Sequence, residues 1–128
     1  MDDLIAFLNA RLDEDEVVAR KAAECAEVKD GRWFDGEDEI NDDNGLRLAT
    51  VNSPPVTVHC ARHDPGRVLR EVEAGRALVS GYERALVKAP GNTPLINTLI
   101  RLMRARAAVW CGHRDFRREW AGVDVPAR

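Results

Sequence analysis

Two cap-plus-proline pairs, Asp64-Pro65 and Thr93-Pro94, divide the second half of the chain into helical segments. An aspartate or threonine side chain can accept a hydrogen bond from the first free amides of a helix. Proline is tolerated at the first helical position, where its missing N–H is not needed. We therefore predict long helices over residues 64–89 and 93–111, and a short helix over residues 56–63 before them.

The N-terminal segment has the apolar spacing of one long amphipathic helix, predicted over residues 1–27, and Asp2 or Asp3 can cap its start. Its apolar residues recur every three or four positions, as they do on the buried face of a helix. The members of this stripe are Leu4, Leu8, Leu12, Ala19, Ala22 and Ala26.

The acidic run that follows Leu12 interrupts the stripe. Continued along the helix, the stripe reaches Asp15, with Glu16 beside it, whereas Asp13 and Glu14 point away. A carboxylate is rarely buried without a partner, because desolvation disfavours its charged form. The pattern therefore predicts that Asp15 meets a histidine or an arginine such as Arg62.

Turn signals dominate the segment between the first two predicted helices. Asp-Gly and Asn-Gly pairs at 30–31, 35–36 and 44–45 separate short runs that suit strands, and Leu46 to Val51 alternates as a half-buried strand does. Pro54 and Pro55 cannot continue a strand ladder. We predict an antiparallel meander of two or three strands over residues 31–52.

These elements predict an α+β fold that is mostly α. A long N-terminal helix and a small antiparallel meander are followed by two long C-terminal helices that form a helical core. We expect a single domain over residues 1–128, because this length forms one core rather than two. Residues 112–128 form a C-terminal segment held by Phe116 and Trp120. The helix over 93–111 is the most apolar, and we expect it to be central.

Composition and charge indicate a globular protein with no membrane segment. No apolar stretch approaches the roughly 20 residues that cross a bilayer, and the acidic start Met1-Asp2-Asp3 is unlike a signal peptide, so we expect a cytoplasmic protein. Three scattered cysteines do not form a disulfide framework. The net charge is −9 over residues 1–50 (15 acidic, 6 basic) and +6 over residues 51–128 (7 acidic, 13 basic).

His59 and His63 are four residues apart, the spacing that stacks two imidazoles on one helix face and allows them to share a metal. With His113 and with Asp15 or Glu16 they would suit zinc or another divalent transition metal. The alternative is a protein without a cofactor, in which His63 joins a hydrogen-bonded network with a carboxylate. Zinc-ribbon, metalloprotease and di-iron signatures are all absent from the sequence.

The C-terminal third is rich in arginines that lie close in sequence to Trp110, Phe116 and Trp120. Arginines beside aromatic rings can bind nucleic acid, although the chain is acidic overall and the rings are needed as anchors. The arginines of this candidate surface are Arg101, Arg104, Arg114, Arg117 and Arg118.

Three stretches, "LIAFLNARLDEDEVVARKAA", "VHCARHDPGRVLREVEAGRALVSGYE" and "HRDFRREW", resemble a family of small uncharacterised proteins of actinobacteria and their phages. The shared central motif is His-x3-His-Asp-Pro-x-Arg-Val-Leu-Arg-Glu-Val, here from His59 to Val72. The resemblance implies no activity. Members tend to have Asp-His-Pro-Asp-Tyr where this chain has Gly-His-Arg-Asp-Phe at 112–116, so Cys111 is a weaker ligand candidate than the histidines.

The leading functional hypothesis is a small accessory protein that binds a partner protein or a second copy of itself, and the resemblance implies that a phage origin is open to it. The sequence contains no complete catalytic constellation that would argue for an enzyme. Two alternatives stay open, a metal-binding and hydrolytic domain, and a nucleic-acid-associated regulator.

Overall fold

The structure, a computed structural model, describes residues 1–27 and 29–122. It is mostly helical and contains a small antiparallel sheet, which confirms the predicted α+β class. None of its helices within the described residues is long and apolar enough to cross a membrane. The helices are α1 (Asp2–Glu24), α2 (Pro54–Arg62), α3 (Pro65–Lys88) and α4 (Thr93–Ala107), and the strands are β1 (Phe34–Asp35), β2 (Glu39–Asn41) and β3 (Arg47–Thr50).

The chain divides into two compact units. The helical unit contains Met1–Asp13 and the segment from Glu73 onward, and the mixed unit contains Glu14–Val72. Both α1 and α3 therefore contribute residues to each unit. The single domain over residues 1–128 stays a prediction.

The helical unit encloses an apolar core to which α1, α3, α4 and the C-terminal segment all contribute. Phe7 is at its centre, with ring centroids 5.1 Å from Trp120 and 6.0 Å from Phe116. These two contacts agree with the predicted anchoring of the C-terminal segment. The buried residues of this core are Leu4, Phe7, Leu8, Val79, Tyr82, Met103, Ala107 and Trp120.

The mixed unit is built on a three-stranded antiparallel sheet of order β1-β2-β3, as the turn signals predicted. A register irregularity separates Ile40 from Asn41 on β2, and Ile40 is the buried residue of the sheet. Helix α2 lies against β1 and β2. Its buried residues are Thr57 and Ala61.

Asp64 begins α3 as its sequence predicts. Its Oδ1 accepts a hydrogen bond from the amide of Arg67 at 2.8 Å, and Pro65 occupies the first helical position. The other carboxylate oxygen accepts from the amide of Trp33 at 3.2 Å. One aspartate therefore caps α3 and also attaches the loop that leads into β1.

Two helix starts differ from the sequence expectation. Helix α2 begins at Pro54, so the paired prolines that end the sheet also form the first turn of the next helix, where proline needs no N–H donor. Helix α4 is capped by Asn92 rather than Thr93, because the Asn92 side chain accepts from the amide of Leu95 at 3.2 Å. Asparagine is at least as good a cap as threonine.

Helix α4 is not buried on all sides, although it is the most apolar segment. Met103 and Ala107 are buried in the core of the helical unit. On another side of the same helix Leu95 and Leu102 are 41% and 50% exposed, and Val109, in the short 3-10 helix Ala108–Trp110 that follows α4, is 65% exposed. The composition of the segment could not separate these two sides, because both carry apolar residues.

Candidate functional site

The two histidines of the central motif lie together at the end of α2. Their ring centroids are 4.3 Å apart and their planes are inclined by 29°, so the imidazoles stack as the four-residue spacing predicted. His63 Nδ1 is 2.9 Å from the carbonyl oxygen of His59. A carbonyl can only accept, so Nδ1 donates and carries the proton. In the neutral ring, Nε2 is then an acceptor.

His63 has a structural role at this point. Its backbone amide donates to the carbonyls of His59 at 3.1 Å and Cys60 at 3.2 Å, and its ring donates to the His59 oxygen as well, so both groups bond to carbonyls in the last turn of α2. The ring is nevertheless exposed and lines a cavity. The stacked pair therefore lies at the end of α2, and one of its members, His63, also lines the cavity.

That cavity lies within the mixed unit and has a volume of about 300 Å³. Its lining includes Asp15 of α1 and His63, the residue that follows α2. Glu71 of α3 and the ring of Trp33 complete its polar and aromatic parts. The remaining lining residues are apolar: Val18, Ala19, Ala22, Pro65 and Val68.

The acidic run on α1 divides as predicted. Asp15 and Glu16 are half-buried, whereas Asp13 and Glu14 are exposed. Glu16 accepts from Arg20, one helical turn further on, with a shortest distance of 2.8 Å. Of the predicted carboxylates, only Asp15 reaches the cavity lining.

His113 lies in the helical unit. Arg11 donates through Nη1 to His113 Nε2, and since an arginine has no acceptor, the imidazole accepts there. The ring also contacts Phe7 edge-on, at a centroid distance of 5.8 Å. A metal ion at Nε2 would have to displace Arg11.

The metal hypothesis gains no cluster from the fold. Over residues 1–27 and 29–122, no three histidine, cysteine, aspartate or glutamate side chains form a group that could hold a metal ion. Within the cavity, Asp15 and His63 share a lining without forming such a group. The metal ligands proposed from sequence, His59, His63, His113, Asp15 and Glu16, stay predictions.

The arginines proposed for nucleic acid differ in their surroundings. Arg117 forms an ion pair with Asp3 at 2.8 Å and stacks over Trp120 at 5.7 Å. Arg114 is highly exposed and is 3.8 Å from Asp115. Arg101 and Arg104 are exposed on α4, and neither forms an ion pair with any residue that the structure describes. Arg118 is exposed in the short helical turn Arg118–Trp120.

Exposed side chains of α4 and of the short 3-10 helix Ala108–Trp110 that follows it are arranged in a line. Leu95 and Leu102 are seven residues apart, so they lie two turns apart on the same side of α4, and Val109 follows seven residues later in the 3-10 helix. Thr98 and Ala105, both exposed, fill the intervening turns. The Thr98 hydroxyl donates to the carbonyl of Pro94 at 2.9 Å, so its polarity is satisfied within the helix. We name Leu95, Thr98, Leu102, Ala105 and Val109 the α4 stripe.

Sequence reasoning missed two residues that matter to these surfaces. Arg11 is only 7% exposed, and it lies three residues after Leu8, so its place in the spacing pattern could have indicated an inward charge. Trp33 lies between turn signals where no periodicity indicates burial. Its Nε1 is buried and has no hydrogen-bond partner in the part of the chain that the structure describes.

The model of a protein family of unknown function, DUF6221, matches residues 1–122. The chain belongs to DUF6221. The match spans both units, and it includes the two histidines, the cavity lining and the α4 stripe of this DUF6221 chain. It agrees with the resemblance found from the motifs in one respect, which is that the chain belongs to a family of unknown function. Comparison with curated proteins and with solved structures found no significant match.

Proposed function

We propose that this DUF6221 protein is a non-enzymatic accessory protein that binds a partner protein through the α4 stripe. The partner segment that suits this surface is an acidic amphipathic helix. The single observation that supports the proposal is the line of exposed apolar side chains along a helix whose charged residues are all basic.

The apolar content of the stripe favours a helical partner. From Leu95 to Val109 the stripe is about 21 Å long at 1.5 Å per residue. Its three large members keep 41%, 50% and 65% of their surface in water. Scattered exposed apolar residues are ordinary, but a contiguous apolar line on a helix is the surface that an amphipathic helix covers.

Charge selects the partner. Helix α4 contains Arg101, Arg104 and Arg106 and has no aspartate or glutamate. Arg101 is next to the stripe on the helical surface, and Arg106 stacks over Trp110 at 4.9 Å. Carboxylates on a docked helix would approach these guanidinium groups, which increases both specificity and the rate of association.

The same charges disfavour pairing between the α4 stripes of two copies. Such a pair would bring together six arginines with no acidic residue on either helix to offset them. Like charges opposed in an interface cost several kcal/mol, roughly the whole gain from a small apolar contact. We therefore assign the surface to a different protein rather than to a second copy.

Fluorescence anisotropy with a labelled peptide tests this proposal. The peptide is about 18 residues long, which is five helical turns. It has leucine at the apolar positions of each heptad and glutamate at the others. A matched peptide carries lysine in place of glutamate. We expect the acidic peptide to bind with a Kd on the order of 10 μM at low salt and the lysine peptide to bind at least about tenfold more weakly.

Two pairs of variants locate the surface. Leu102→Glu should weaken acidic-peptide binding about tenfold or more, whereas Val17→Glu, an equivalent change at an exposed position of α1, should not. Arg101→Glu with Arg104→Glu should weaken binding, whereas Arg114→Glu should leave it unchanged. Unaltered binding by Leu102→Glu, or equal binding of both peptides, would exclude the proposal.

The alternatives are decided by further arms of the same experiment. Binding of duplex DNA that weakens steeply with salt and requires Arg101 and Arg104, without acidic-peptide binding, would favour the nucleic-acid reading. Elution as a dimer that Leu102→Glu dissociates would favour self-association. About one zinc per chain in elemental analysis of the purified protein would favour the metal-binding alternative. Phage origin stays an implication of the resemblance.

A further inference from the structure

The cavity of the mixed unit has a hydrogen-bond donor in its lining that the protein itself does not satisfy. A buried indole N–H usually has a hydrogen-bond partner, because an unpaired donor removed from water destabilises the folded state. Trp33 Nε1 is buried, and over residues 1–27 and 29–122 no group accepts a hydrogen bond from it. Since Trp33 is part of the cavity lining, an acceptor brought by a ligand would satisfy this donor.

The other polar side chains of the lining already have interactions. Glu71 accepts from Arg67 through Oε1 at 2.9 Å, and Asp15 likewise interacts with another group of the protein. His63 Nδ1 donates to the carbonyl of His59 at 2.9 Å. These groups therefore do not require a charged partner from a ligand.

Small apolar side chains form most of the remaining surface, which has a volume of about 300 Å³, at the lower end of the range for small-molecule sites. Its members are Val18, Ala19, Ala22, Pro65 and Val68. Such a surface favours an uncharged ligand, because a charge moved there from water loses its hydration.

We propose that this cavity binds a small neutral molecule, an apolar body that carries a hydrogen-bond acceptor such as a ketone, ester or ether oxygen. The apolar body lies against Val68 and the alanines of α1, and the oxygen accepts from Trp33 Nε1. The site is independent of the α4 stripe, since its residues all belong to Glu14–Val72.

Binding requires the indole ring of Trp33 to turn, since Nε1 is buried in the structure. Trp33 lies in the irregular segment that leads into β1, and the residue as a whole is half-buried. Its backbone amide donates to Asp64 Oδ2 at 3.2 Å, so the backbone stays attached to the start of α3 while the ring rotates. The new hydrogen bond offsets the cost of that rotation, because it satisfies a donor that was unpaired before binding.

The test compares acetophenone with α-methylstyrene, which has the same shape but a methylene group in place of the carbonyl oxygen. Binding to the isotope-labelled full chain is followed by NMR titration. We expect acetophenone to bind with a Kd on the order of 1 mM, as suits about nine heavy atoms, and α-methylstyrene to bind at least about fivefold more weakly. Benzoate and benzylammonium should also bind at least about fivefold more weakly than acetophenone, because each brings a charge into the lining.

The indole N–H resonance of Trp33 reports the hydrogen bond directly. Its assignment separates it from the resonances of the other two tryptophans of the chain. Acetophenone should move this resonance downfield, the direction in which an accepted hydrogen bond shifts an N–H proton, whereas α-methylstyrene should not. A Trp33 resonance that stays in place while acetophenone binds would contradict the proposal.

Trp33→Phe separates the donor from the aromatic surface, because phenylalanine keeps a ring and lacks the N–H. In this variant acetophenone should bind no more than about twofold more tightly than α-methylstyrene, so the preference for the carbonyl is lost. Trp110→Phe, in the helical unit, should keep the preference. Ala22→Leu narrows the cavity and should weaken acetophenone binding at least about fivefold while retaining the helical circular dichroism spectrum.

Several results would overturn the assignment. Equal binding of acetophenone and α-methylstyrene, or a preference that persists in a folded Trp33→Phe variant, would show that the ligand oxygen does not meet the indole N–H. Tighter binding of benzylammonium than of acetophenone would make the cavity a cation site. If Trp33→Phe does not fold, the shift of the Trp33 resonance in the unaltered protein decides the question by itself.

Discussion

The amide of Gly66 donates a hydrogen bond to the carbonyl oxygen of Gly31 at 2.9 Å. This contact brings the loop before β1 onto the first turn of α3, and it requires a glycine at position 31. Gly31 has a φ of +74°, and a Cβ there would lie 2.7 Å from the nitrogen of Gly66 and 3.1 Å from its Cα. The two backbones approach more closely than a side chain at position 31 would permit.

Gly31→Ala should therefore destabilise the protein. The left-handed φ costs a non-glycine residue about 1–2 kcal/mol, and the contact with Gly66 adds strain, so we expect a loss of more than about 2 kcal/mol in the free energy of unfolding. Gly45→Ala is the matched control, because its φ is +79° but nothing lies within 4 Å of its Cβ position. Urea unfolding should show a loss of only about 1 kcal/mol there. Equal losses would contradict the close approach.

A second glycine pair lies on α3 within the helical unit. A Cβ at Gly75 would be 2.8 Å from Cδ2 of Leu12, which is fully buried and has little room to move, whereas a Cβ at Gly81 meets nothing within 4 Å. Alanine gains about 1 kcal/mol over glycine inside a helix. We expect Gly81→Ala to raise the free energy of unfolding by about that amount, and Gly75→Ala to lower it. A stabilising Gly75→Ala would show that Leu12 yields readily.

Asp42 organises the turn between β2 and β3. It is 2% exposed, and its carboxylate accepts from the amides of Glu27, Asn44 and Leu46 at 2.9–3.0 Å. Asp42→Ala would leave three amides without this acceptor, so we expect a loss of about 3 kcal/mol or more. Asp43→Ala, at an exposed position in the same turn, should change stability by less than about 0.5 kcal/mol. Thermal unfolding of the two variants distinguishes them.

Asp64 connects a cap with a loop. Asp64→Ala removes the acceptor of the Arg67 and Trp33 amides together, so we expect it to cost about 2 kcal/mol, roughly twice a simple cap. Asn92→Ala at the start of α4 removes a single cap bond, to Leu95, and should cost about 1 kcal/mol. Losses of the same size at the two positions would mean that the Trp33 bond contributes nothing.

Local chemistry determined much of this fold from the sequence alone. The Asp64-Pro65 junction, the three turn signals and the spacing of α1 predicted the helices and the meander, because caps, glycine turns and apolar periodicity act over a few residues. The same spacing predicted which carboxylates of the acidic run turn inward. The four-residue separation of His59 and His63 predicted in the same way that their rings would stack.

Only the tertiary structure decided what those residues meet. Trp33 joins the lining that Asp15 and His63 share, and Arg11 donates to His113 across about a hundred residues of sequence. The exposure of Leu102 beside the burial of Met103 likewise depends on which neighbours pack against α4. A local pattern shows that a side chain is apolar or charged. The groups that share its space come from distant segments, and their approach is set by packing of the whole chain.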